Sequence, residues 1–195
     1  MGWELRVFCP AETAKNVFGE DVNHKEKRED EYILVSSRVG LKKRGGSRWE
    51  VKTKCGESND CPGLERWCKD SVESVDCVDS IIRQRGVLGE EELLGLERRI
   101  HLKVEKERDR RWVGGVLMEQ TDLKVKWGGK TEMWRSWCVE GSKDEVENCG
   151  RQNWATLDER DSRLGKCSLV MGYPEWLGVV AGVGKTQLVS GDKLV

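Results

Sequence analysis

Apolar and polar positions alternate over residues 3–9, WELRVFC, which predicts a first strand halted by Pro10. AETAKNVF (11–18) fits a short helix with Pro10 at its start, and NHKEKRED (23–30) reads as a charged connector. Residues 31–54 form a β-meander whose last two strands make a ribbon closed at Gly45–Gly46. The period then changes. Leu64, Trp67, Cys68, Val75, Val78 and Ile82 recur at helical spacing, so a helix is expected over 62–85, with Arg83 and Arg85 ahead of Gly86 at its end. A shorter helix fits 89–99. Strands are expected at 100–108, 113–119, 122–127 and 134–140, with turns at Gly114–Gly115 and Gly128–Gly129. A helix over 152–164, a strand at 167–171 and a turn into a short helix at GYPEWLG complete the pattern. The expected organisation is one domain over 1–181 and a flexible tail over 182–195. Its class is α+β, an antiparallel β-barrel with helices packed outside.

Composition bounds this picture. The chain has 195 residues, 34 Lys+Arg against 35 Asp+Glu, and a formal net charge of −1. That balance excludes a bulk polycation coating nucleic acid through overall charge. No run approaches the ~20 apolar residues of a membrane-spanning helix, so no membrane partner is expected. MGWELRVFCP is too short and polar for a secretory signal, and a cytoplasmic protein is expected. Eight cysteines contain no C-x2-C or C-x4-C pair, so buried, reduced thiols are expected rather than zinc or a disulfide framework. Nine Trp against two Phe and two Tyr supply most of the large apolar volume. Packing in or around a core is the expected role of those indoles, ahead of stacking on bases.

The informative feature is where the charges fall. In RWEVKTK, Glu50, Lys52 and Lys54 share one strand face opposite Trp49, Val51 and Thr53. Lys42 and Arg44 share a face of the preceding strand, Lys106 and Arg108 one of IHLKVEKER, and Glu4 and Arg6 one of the first strand. Residues 38–54 hold seven basic residues and one acidic, whereas 57–79 hold seven acidic and two basic, read here as an acidic helical exterior. A solvated sheet face explains any one strand. Recurrence over several strands, each with an apolar opposite face, suits a barrel whose charged face points inward. Such a lining is costly unless it holds a polyanion, and carboxylates among the bases could add a divalent cation.

These residues resemble the CYTH superfamily of triphosphate tunnel metalloenzymes. Asp30-x-Tyr32, Leu41-Lys42-Lys43-Arg44, Glu50-x-Lys52-x-Lys54, Lys106-x-Arg108, Cys138-Val139-Glu140 and Gly172-Tyr173-Pro174-Glu175-Trp176-Leu177 resemble its successive motifs, over roughly residues 2 to 177. The resemblance implies a closed antiparallel tunnel and metal-dependent hydrolysis of an organic or inorganic triphosphate. It implies phosphate binding by Arg6, Lys42, Arg44, Lys52, Lys106 and Arg108, catalytic roles for Glu4, Glu50 and Lys54, and Mg2+ or Mn2+ on Glu4, Glu119 and Glu140. Two motifs depart from the pattern. The family's N-terminal E-x-E-x-K is Gly2-Trp3-Glu4-Leu5-Arg6 here, and the later E-x-E stops at Glu140 with Ser142 following. Arg6 keeps its charge but cannot titrate near neutrality.

The alternative is a non-catalytic binder of phosphorylated ligands, or of nucleic acid, on the same fold; nucleic acid is the less expected partner. Gly182-Val183-Gly184-Lys185-Thr186 is not a P-loop, because Val179 stands where its first glycine belongs. His24 and His101 lie in no recognisable catalytic motif. Neither the particular triphosphate nor the oligomeric state is written in the sequence.

Overall fold

A computed structural model describes residues 2–13, 24–46, 48–74, 76–86, 100–150 and 169–182. Eight antiparallel strands close into a barrel: β1 (Gly2–Pro10), β2 (His24–Ser36), β3 (Val39–Arg44), β4 (Arg48–Glu57), β5 (Leu64–Val72), β6 (His101–Val113), β7 (Val116–Trp127) and β8 (Lys130–Gly141). Their order is β5-β4-β3-β2-β6-β7-β8-β1, and β1 pairs back onto β5. Closure rests on β1. One edge runs along β8 from Trp3 to Pro10, while the other takes β5 at Gly2–Leu5 and β9 (Leu169–Val170) at Val7–Phe8.

Helices cover the outside and fill one end. α1 (Asp76–Arg85) lays Val78 and Ile82 on the outward Ile33, Val35, Leu41 and Val51. α2, helical over 143–150, sets Val146 on Leu5, Leu64, Met118 and Val139. α3 (Tyr173–Val180) enters the barrel end where Phe8, Tyr32, Leu102, Val104, Leu123 and Val125 point inward, and Trp176 stacks on Phe8 at 4.3 Å. Thus the outer face of the sheet is apolar beneath helices, and the inner face is mostly charged beyond the end α3 fills. This inverts the usual one-sided sheet.

The ribbon turn is as read, with Gly45 and Gly46 both at positive φ, as a two-residue hairpin turn demands. Gly63, before β5, has φ +79, and a Cβ there would lie 2.3 Å from Val170 Cγ1. Gly63→Ala is therefore expected to destabilise by about 1–3 kcal/mol through overpacking and backbone strain, read as a lowered urea midpoint.

Five expectations change. The "connector" 23–30 belongs almost wholly to β2, whose charges pair with β6 on both faces of the sheet: Lys27 meets Glu107 outside at 2.7 Å. The helix expected over 62–85 is β5 followed by α1, so helix occupies only 76–85 of it. The stretches 113–119 and 122–127 are one strand, β7, entered by the Gly114–Gly115 turn. Cys55 and Cys68 form a disulfide across the β4–β5 pair, where reduced thiols were expected, although Cys138 does keep a buried thiol. The expected helix 11–18 is a 3-10 turn at Ala11–Thr13 as far as it is described. The helices at 89–99 and 152–164, the start of the strand at 167–171 and the tail beyond Gly182 lie outside the described residues.

Candidate functional site

Side chains that meet from strands which are not neighbours define the interior. Lys52 Nζ on β4 reaches Glu4 Oε2 on β1 at 2.6 Å, across β5. Lys69 on β5 reaches Glu140 on β8 at 3.0 Å, across β1. Arg6 Nη1 on β1 reaches Glu119 Oε1 on β7 at 3.2 Å, across β8. Strand alternation then places Lys42, Arg44, Glu50, Lys54, Lys106 and Arg108 on the same inward face. All the candidate residues read from the sequence therefore share one interior.

The floor of this interior lies against α3. Lys106 Nζ donates to Tyr32 Oη at 2.6 Å, lies 3.0 Å from Asp30 Oδ2, and sits 4.3 Å over the Tyr173 ring. Burial drives the Lys106 ammonium well below its ordinary value against the pull of Asp30, and nearby Lys42, Arg108 and Arg28 push the same way. Tyr173 Oη is buried without a hydrogen-bond partner. Lys54 also lies toward this end, between Glu65 at 2.7 Å and Glu57 at 2.6 Å; burial lowers its basicity, but these bonds outweigh that and raise it overall.

At mid-depth Arg6 bridges two carboxylates, with Nε 3.1 Å from Glu4 Oε1 and Nη1 bonded to Glu119 and to Ser136 Oγ. Burial alone would raise both acids. Lys52 and Arg6 overcome this at Glu4 and hold it far below the carboxylate range, and Arg6 and Arg108 bring Glu119 down to about 2. Glu50 stays ionised beside Lys42, 2.8 Å away, with Arg44 at 4.0 Å near the rim.

Several lining residues were not anticipated. Glu26, Arg28 and Asp30 extend the inner face of β2, Glu65, Trp67 and Lys69 that of β5, and Arg110 that of β6. Those on β5 correct the acidic helical exterior, because Glu65 and Lys69 line the barrel. A continuing every-second-residue rhythm, Glu26-x-Arg28-x-Asp30-x-Tyr32 and Glu65-x-Trp67-x-Lys69, was the signal available. Cations outnumber carboxylates on the inner face, even though each carboxylate named here has a cation beside it.

The fit of a divalent ion can be judged from the donors. Glu65, Glu4 and Glu140 are direct cross-strand partners on adjacent strands, a row of three inward carboxylates. The row is spread among cations: Glu4 spans Arg6 and Lys52, Glu65 takes Lys54 and Trp67 Nε1, and Glu140 takes Lys69. Glu119 is bridged to Glu4 by Arg6, not by a shared gap. Among the described residues no group of three His, Cys, Asp or Glu is arranged to hold a metal. Gly2 lies beside Glu140, where an added Cβ would be 3.3 Å from Oε1, so the first acid of the resembled motif would stand there and is missing. The set Glu4, Glu119 and Glu140 does not fit Mg2+ or Mn2+ as these side chains are held.

No family model matches the chain, and no curated protein matches it either. Among solved structures it is similar to the PH1819 protein of Pyrococcus horikoshii OT3, at 18% identity and a TM-score of 0.43, covering 89% of this chain and 97% of that one. It is also similar to a candidate adenylate cyclase of Bacillus halodurans, at 10% identity and a TM-score of 0.44, covering 82% of this chain and 92% of that one. No described helix is long and apolar enough to cross a membrane.

Proposed function

We propose that the barrel is a CYTH-like tunnel that binds the triphosphate group of a small molecule. The observation that carries this reading is the inward lining itself, an excess of Lys and Arg from six strands in a fold that could have filled its centre with apolar side chains. Buried ion pairs contribute little net stability compared with well-packed apolar groups, so so many of them in one cavity need a reason. A polyphosphate supplies one, since its oxygens replace the carboxylates as partners of Lys42, Lys52, Arg6 and Arg108 through charge-assisted hydrogen bonds. Arg fits this use because its planar fork grips two phosphate oxygens at once.

Metal-dependent hydrolysis of the bound triphosphate is the second reading, and the row Glu65–Glu4–Glu140 favours it. It requires those acids, once phosphate has taken their cations, to gather on one metal ion as well, so binding is the primary activity proposed and no hydrolytic step is assigned. Calorimetric titration with inorganic tripolyphosphate tests the first reading. Lys52→Gln and Arg108→Gln are each expected to weaken binding roughly tenfold or more, with circular dichroism confirming the fold. No binding by the intact protein, or affinities unchanged in both variants, would sink it. Orthophosphate release from tripolyphosphate with Mg2+ or Mn2+, set beside the metal-free reaction, scores the second.

A further inference from the structure

The inner face of β6 runs from the closed end to the open one as Lys106, Arg108, Arg110 and Trp112. Side-chain exposure climbs along it, from 2% at Lys106 to 12% at Arg108 and 30% at Arg110. Trp112 ends the run at 67% exposed. Trp112 faces Leu117 in the β6–β7 ladder, and Leu117 faces Glu140 in the next. All three occupy the inward register, and the same cross-strand row continues through Glu140 to Glu4 on β1. The largest exposed apolar side chain among the described residues thus stands on the rim of the charged interior, not on the helix-covered outside. Val113, 45% exposed, adjoins it before the Gly114–Gly115 turn.

A lone exposed indole is ordinary. Its place above two arginines with unused donors is not. Nε of Arg108 and Nε of Arg110 are buried without a hydrogen-bond acceptor, although Arg108 Nε lies 3.1 Å from Glu119 Oε2 in a poorly aligned ion pair, and Arg110 is 3.5 Å from Glu26. From Arg108 to Trp112 the strand rises roughly 13 Å, a span comparable with an extended nucleoside triphosphate.

We propose that the ligand is a nucleoside triphosphate whose phosphates bind along Arg108 and Arg110 and whose base stacks on Trp112 at the mouth. The inference rests on the triphosphate reading and narrows it, since inorganic tripolyphosphate has nothing to place on the indole. Stacking tolerates any base because each has a π-face, so purines bind at least as well as pyrimidines and no single base is demanded. The exposed position makes Trp112 replaceable without disturbing the core.

The test is calorimetric titration of the intact protein and of Trp112→Ala with ATP, CTP and tripolyphosphate. The intact protein is expected to prefer ATP over tripolyphosphate. Trp112→Ala is expected to lose roughly tenfold or more of its ATP affinity, leave tripolyphosphate unchanged, and regain most of the loss as Trp112→Phe. Equal loss for both ligands, or none for either, overturns the stacking role while the triphosphate reading stands. No binding of any of the three by the intact protein overturns both.

Discussion

Arg6→Met is expected to cost the fold about 3–5 kcal/mol at neutral pH, the range for removing one partner of a buried ion pair. The guanidinium sits between Glu4 and Glu119, and its removal takes one of two cations from each, leaving Lys52 on Glu4 and Arg108 on Glu119. The pH dependence separates this cause from simple loss of packing. In the native protein both acids are held below the ordinary value of 4.5, Glu119 at about 2. Their stabilising contribution is fully present above pH 4.5 and is lost as pH falls toward 2. In the variant each acid keeps one cation but titrates above its native value, so less of this contribution is present to be lost on acidification. The gap between the two proteins should therefore narrow on acidification. A gap in urea midpoint that is constant between pH 7 and pH 2 would show that the charge bridge is not what Arg6 contributes. Arg6→Lys is expected to recover only part of the loss, since one ammonium cannot reproduce the separate Nε and Nη1 contacts.

Trp176→Ala is expected to be comparably severe, about 3–5 kcal/mol by the usual cost of emptying a buried aromatic site. Trp176 is fully buried, stacked on Phe8 and set edge-on to Trp134 and Tyr173. Its loss also opens the barrel floor. Water admitted there reaches Lys106, relieves the burial that depresses its ammonium, and loosens the Tyr173 ring above it. Urea unfolding followed by circular dichroism measures the stability, with Trp176→Phe retaining most of it. An unchanged midpoint in the alanine variant would mean that α3 is not part of the core.

Much of this site was readable because a strand shows its two faces in alternate residues. Glu50-x-Lys52-x-Lys54, Lys42-x-Arg44 and Lys106-x-Arg108 each put their charges on one face, and an inward-facing barrel wall followed from their repetition. The alternation failed where both faces are charged or both are buried. HKEKRED offers no apolar face because β2 meets solvent on its outer side there and ion pairs on the inner, so a strand resembled a linker. β5 errs the other way. Leu64 and Cys68 are buried outward and Glu65 and Trp67 inward, so its apolar residues fall by chance at the spacing of a helix. The disulfide was out of reach for a related reason: Cys55 and Cys68 face each other only once β4 and β5 are known to be partners. Trp112 could be seen but not placed, since its meaning depends on which end of the barrel is open.

The seam at β1 has a consequence for how the chain reaches this state. Its first nine described residues find β5 only after some sixty more residues, and Arg6 meets its partners Glu119 and Ser136 at sequence separations of 113 and 130. A topology dominated by such distant pairings folds slowly, on the millisecond-to-second scale of all-β domains. On a ribosome β1 waits, one face charged and the other apolar, until β8 has emerged. An open strand edge of that kind invites pairing with other chains. The strand that completes the ring is thus made well before its partner β8, and synthesis order makes its late capture the vulnerable moment of the protein's life.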